Sequence, residues 1–86
     1  MSEENLDLVR SLPCAVCSKR PVDPHHIKTK GAGGKDTLEN LLSLCRMHHR
    51  QIHAMGRKTF FTKYIQRINA HRLGYELPLI MEDQYE

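Results

Sequence analysis

Apolar residues arrive in short bursts along the chain, separated by prolines, glycines and charge, and their spacing changes from burst to burst. Residues 3 to 11 place Leu6 and Val9 on one side, with Arg10 at the margin, which predicts a short helix that Pro13 ends. PVDPHHIK holds two prolines, each of which disfavours helix in the residue before it, so this stretch reads as extended. A short strand is expected near residues 25 to 28, with Val22 and Ile27 inward and His25 and His26 at its start. TKGAGGKDT has three glycines in nine residues and predicts a tightly turning or flexible loop. NLLSLC is apolar on both faces at Leu41, Leu42 and Leu44 and reads as the returning strand. A polar, periodic run from Arg46 to Met55 predicts a helix ended by Gly56. In residues 59 to 73, Phe61, Tyr64, Ile65 and Ile68 recur at helical spacing, Thr59 can cap the start and Gly74 stops the run. Those side chains are expected to be core rather than a stacking platform. The tail ELPLIMEDQYE, acidic and interrupted by Pro78, is expected to wrap loosely or fray. The pattern is one α+β domain over residues 1–86: a hairpin, then helices, without internal repeats.

Length changes the picture first. A chain of 86 residues buries only about 60 to 65% of its unfolded surface, and a core this thin usually needs a staple. Five aromatic residues and no tryptophan are present to fill it. The three cysteines, Cys14, Cys17 and Cys45, are odd in number and no apolar leader accompanies them, so reduced, cytoplasmic thiols are expected rather than a secreted disulfide framework. No apolar run approaches the roughly 18 to 20 residues that cross a bilayer.

Charge is unevenly spread. All 13 Lys and Arg lie between Arg10 and Arg72, where only Asp23, Asp36 and Glu39 oppose them, while the other acids collect at the two ends. A basic middle of this kind suits a phosphate backbone, although a solvated basic face would have the same composition. Lys28, Lys30 and Lys35 surround the glycine loop. The loop lacks the GK[ST] ending of a P-loop, so a nucleotide-cradling role is not expected.

The chemistry is concentrated in LCRMHHRQIH, residues 44 to 53. Structural zinc takes four thiolate or imidazole ligands in a tetrahedron, commonly as two closely spaced pairs. CAVC supplies Cys14 and Cys17, and CRMH supplies Cys45 and His48, with 27 residues between Cys17 and Cys45 that can hold a hairpin. A turn at the first pair and a helix start at the second would make a treble-clef-like zinc module. A lone CxxC could equally be a redox pair; the second pair is what points to zinc. His49 and His53 remain. At about 100° per residue from Cys45, His48 lies near about −60° and His49 and His53 near about +40° and +80°, so the helix presents two ligand faces. A second metal there needs a third ligand, and the His25–His26 pair could supply one while leaving an imidazole free for proton transfer.

With these parts in order, DPHHIKTKGAGGKDTLENLLSLCRMHHRQIH resembles the HNH nucleases, also described as having a ββα-metal or His-Me finger core. The correspondence spans about residues 13 to 55: HHI, the GAGG loop, ENLLSLC with Asn40, and CxxHH followed by His53. The resemblance implies that His26 is the general base, that Asn40 orients it, and that His25, His49 and His53 hold one catalytic divalent metal. Cys14, Cys17, Cys45 and His48 would then hold structural zinc, as in members with zinc-knuckle pairs. Phosphodiester hydrolysis calls independently for an imidazole base working near neutrality and for a cation beside the phosphate.

Two departures matter. His25 stands where the family often has aspartate, which favours transition metals and leaves magnesium, manganese, nickel and zinc all open. His48 replaces the usual fourth cysteine. Asp23 could also approach the site, whereas His71, on the second helix, is expected at the surface. Lys28, Lys30, Lys35, Arg46, Arg50, Arg57 and Lys58 are the expected backbone contacts to DNA, double-stranded by family resemblance. With no separate recognition region, specificity is expected to be low or lent by a protein partner, in the manner of small phage-encoded HNH proteins acting in the host cytoplasm. The alternative is a non-catalytic zinc module that binds nucleic acid, or an adaptor of a larger phage or recombination complex.

Overall fold

In a computed structural model describing residues 2–86, helix α1 (Ser2–Ser11) leads into a knuckle turn, then strands β1 (Val22–His26) and β2 (Leu41–Cys45), helix α2 (Arg46–Met55) and helix α3 (Arg57–Gly74). The strands form one antiparallel pair in which Val22 faces Cys45, Pro24 faces Ser43 and His26 faces Leu41. Small α+β architecture is therefore as expected, but β1 lies earlier than the 25 to 28 stretch. His25 and His26 end the strand instead of starting it. A two-stranded sheet leaves one side of β1 unpaired, so Pro24, which lacks an N–H, costs no ladder bond there.

All five residues of β2 are buried, Ser43 among them. Ser43 is satisfied by donating from Oγ to the Pro13 carbonyl (2.8 Å), and its own carbonyl accepts from Ala15 N–H (2.9 Å). These bonds tie the knuckle turn to the middle of the sheet. Around β2 the core gathers Val22, Ile27, Leu42, Leu44, Ile52, Phe60, Phe61 and Ile68. Of the residues expected inside α3, Phe61 and Ile68 are fully covered, and Tyr64 and Ile65 pack partly against the cluster.

Gly56 joins α2 to α3. Its φ of 86° and ψ of 151° lie where side chains with a Cβ are strained; its N–H closes α2 on the Ile52 carbonyl (2.9 Å) and its carbonyl opens α3 by accepting from Phe60 (3.0 Å). The start of α3 is thus at Arg57, two residues before the expected one, and Thr59 lies inside the helix and does not cap it.

The tail departs most from expectation. Ile80 and Tyr85 are buried, Tyr85 stacks on Phe61 (centroids 4.8 Å apart), and the Asn69 side chain bonds the Ile80 backbone at both its N–H and carbonyl. Arg72, 2% exposed, donates to the carbonyls of Leu38, Leu41 and Pro78, pinning α3 to the entry of β2 and to the tail at once. Burial lowers its guanidinium pKa to about 10, which still leaves it charged and bonding. Nor is His71 a surface residue: it is half-buried, with Nε2 enclosed and unpartnered, and burial lowers its pKa. Among the described residues, no helix is long and apolar enough to cross a membrane.

Candidate metal centres

The corner from β2 into α2 carries ligands in two directions. On one side, the ligand atoms of Cys14, Cys17, Cys45 and His48 lie within 4.8 Å of one another. Cys17 and Cys45 sulfurs are 3.7 Å apart, and His48 Nδ1 is 3.7 Å from Cys14 Sγ and 3.3 Å from Cys45 Sγ. A tetrahedral zinc with bonds of about 2.3 Å to sulfur and about 2.0 Å to nitrogen separates its ligands by about 3.8 Å between sulfurs and about 3.5 Å between sulfur and nitrogen. The four side chains therefore fit a metal ion such as zinc, and the sulfur spacing is far too long for a disulfide.

Electrostatics suit that use in part. Burial alone would raise the Cys14 thiol, but backbone hydrogen bonds from Cys45, Cys17 and Val16 bring it below its ordinary value, toward the thiolate that binds metal. Burial pushes Cys17 upward, a cost that a bound cation would reverse. His48 is held neutral by burial and by the charges of Lys19, Arg67 and Lys63, leaving a nitrogen lone pair to donate. Its ring sits edge-on to Phe60 and Tyr64, which sets its orientation.

On the other side, His25, His49 and His53 bring one ligand atom each within the same 4.8 Å limit. Their rings are 5.0 to 5.3 Å apart, with His25 edge-on to both helix histidines. Strand periodicity puts Asp23 on the same face of β1 as His25. Asp23 Oδ2 lies 3.2 Å from His49 Nδ1 and accepts from Arg46 Nε at 3.1 Å. A carboxylate on one ring nitrogen fixes the imidazole and leaves its Nε2 for a metal. The His49 contact, followed by Arg46, holds the Asp23 carboxyl below the usual carboxylate range. His25 is driven down to about pKa 4, first by burial and then by the neighbouring His49, His53 and His26, and so is neutral at pH 7. Three imidazoles so placed fit a divalent transition ion.

The three histidines open into a cleft of about 240 Å³ also lined by Pro24, His26, Thr29 and Lys30. A larger hollow, about 670 Å³, lies on the outer side of α2 around Met47, Gln51, Ala54 and Tyr64; it shares His48 but none of the three-histidine ligands, so chemistry rather than volume marks the site.

The sequence profile of a family described as protein of unknown function (DUF968) matches residues 1–74. The chain belongs to the DUF968 family. It is 42% identical over 48 residues to the uncharacterized protein YdfU of Escherichia coli (strain K12), a match that covers 52% of this chain and 14% of that protein. The chain thus spans about a seventh of that relative's length. No solved structure matches it.

In this DUF968 protein the two expected ligand sets assemble as separate clusters, and His26 shares the cleft of the second. The Asn40 side chain makes no direct bond to His26. Its amide instead clamps the loop, donating to the carbonyls of Lys28 (3.0 Å) and Lys35 (2.9 Å) and accepting from Lys28 N–H (2.7 Å). The group on His26 is Asp36, whose Oδ1 lies 2.5 Å from His26 Nε2 and whose Oδ2 accepts from Lys30 Nζ at 3.1 Å. Sequence reasoning missed Asp36 and left Asp23 without a partner. A signal existed: of the three acids in the basic middle, two end on the site's histidines. All seven expected phosphate contacts are exposed; Lys30 lines the cleft, Arg57 lines an adjoining hollow that shares His25, His26 and His53, and Arg46 is paired with Asp23.

Proposed function

We propose that this DUF968 protein is a metal-dependent HNH-type endonuclease that hydrolyses DNA phosphodiesters, built on a treble-clef-like zinc module. The observation that carries the reading is the meeting of His25, His49 and His53 from two elements, beside a fourth histidine that is not one of their set, in one open cleft. A purely structural zinc finger has no use for that second set. A divalent cation held there would supply positive charge beside the scissile phosphate and the leaving oxygen.

The chain's own residues do the rest. His26 takes a proton from water as the water oxygen bonds to phosphorus. The bond from phosphorus to the 3′ oxygen breaks with its electron pair, and that oxygen takes a proton from solvent water, giving 3′-hydroxyl and 5′-phosphate ends. Asp23 holds His49, and Lys30 at the rim meets the phosphate backbone.

Nicking of supercoiled plasmid with added magnesium, manganese, nickel or zinc tests this. His26→Ala is expected to lose about a hundredfold or more of the rate while keeping its structural zinc and its fold. Equal cleavage by the two proteins removes His26 from the mechanism. Binding of duplex without cleavage under any of these metals favours the non-catalytic zinc module.

A further inference from the structure

Asp36 presents its carboxylate to His26 from a loop that the rest of the domain holds in place. Its side chain is 7% exposed, against 22% for the His26 ring it meets. Four constraints aim it. Asn40 pins the preceding carbonyl, Lys35, and both backbone groups of Lys28 across the loop. Asn5 on α1 donates from Nδ2 to the Asp36 carbonyl at 2.8 Å. Gly34 lets the chain cross itself, because a Cβ there would stand 1.8 Å from the Lys28 carbonyl oxygen. Lys30 takes the second carboxylate oxygen, leaving the first for the imidazole.

An ionised carboxylate only accepts hydrogen bonds, so the ring nitrogen facing it must carry the hydrogen. We propose that Asp36 is the positioning residue of His26, holding the ring in the tautomer with its proton on Nε2 and leaving Nδ1 as the basic nitrogen. The proposal rests on the reading of His26 as the base. It also gives Asn40 a place: the expected link from Asn40 to His26 runs through the loop backbone and Asp36, not through a direct bond. Asp36 stays ionised to do this, since its bonds to His26 and Lys30 hold it below the usual carboxylate range.

The test reads the ring directly. Long-range proton–nitrogen NMR spectra of the full zinc-loaded chain, with the His26 signals identified by their loss in His26→Gln, report which nitrogen is protonated when the ring is neutral. The unaltered protein is expected to show the Nε2–H form alone, Asp36→Glu to keep it, and Asp36→Asn to release a mixture. On plasmid with manganese, Asp36→Asn is expected to lower kcat by about ten- to a hundredfold at unchanged KM, and Asp36→Glu to recover most of it. A loss through unfolding is recognised by the melt of Asp36→Asn, and Asp36→Glu then carries the comparison against Lys30→Ala, which removes the other contact and keeps the tautomer. An Nδ1–H ring in the unaltered protein, an unmoved tautomer in Asp36→Asn, or an unchanged kcat overturns the proposal. If the unaltered chain cleaves with none of the metals, the nuclease reading falls; the tautomer readout then decides the Asp36 contact by itself.

Discussion

The two ligand clusters share the corner from β2 into α2 and differ in what surrounds them. Cys14, Cys45 and His48 are buried and Cys17 half-buried, four side chains spaced to fit one metal ion under the side chains of α3. His25 and His49 are half-buried and His53 is exposed, three imidazoles facing a cleft. A closed four-ligand set spends its metal on folding, whereas a three-ligand set with an open side leaves a position for water or substrate. Adjacent residues on one helix, His48 and His49, serve the two ends of that contrast because 100° of helical rotation separates them.

The contrast can be broken most directly at Cys14. Structural zinc contributes on the order of 10 kcal/mol to small domains, comparable to an ordinary domain's whole stability of about 5 to 15 kcal/mol. Cys14→Ser is therefore expected to lose the cooperative melt by circular dichroism, as is the unaltered chain in strong chelator, while His53→Ala melts much as before. Equal melts of the two variants would erase the distinction between the sites.

Acid sharpens it next. In the folded chain His25 takes its proton at about pH 4 rather than 6.5, so between those values the unfolded chain binds the extra proton. Stability from this group is complete above about pH 6.5 and lost as the pH falls toward 4. At pH 5 the loss is about 2 kcal/mol. Urea unfolding at pH 7 and pH 5 should show His25→Asn losing less stability between the two than the unaltered chain, a difference that leaves out the acid sensitivity common to both. Identical losses would mean that His25 is not desolvated as described.

Asp23→Asn should act on one cluster only. Calorimetry with manganese or nickel is expected to show second-site affinity weakened by about 10- to 100-fold, with zinc content at the cysteine cluster unchanged. The smallest effect belongs to the surface: Arg50→Ala should weaken duplex binding similarly for different sequences and lower the salt slope by about 1. A sequence-selective loss would make Arg50 a base contact.

Much of this was legible because it is local. Helical period places Cys45 with His48 and His49 with His53, so the partition of ligands in α2 needs no knowledge of the fold. What was missed depends on long-range meetings. Asp36 reaches His26 ten residues away through a loop whose path is set by Asn5, 31 residues distant, and by Asn40. The tail looked free because its acids and Pro78 dominate the pattern, yet Arg72 and Asn69 had side-chain bonds to give its backbone. Thr59 looked like a cap because nothing local says that Gly56 can end one helix and begin the next.

By itself, then, the sequence determined the element order from α1 to α3, the need for a staple and the ligand types at their spacings, since each follows from the period of a single element. Only the tertiary structure decided that His25 meets His49 and His53, that Asp23 and Asp36 each take a histidine, and that Asn40 holds a loop instead of a ring. Those pairings depend on the register of β1 against β2 and on where one glycine-rich loop crosses itself, and neither quantity is carried by any one segment of the chain.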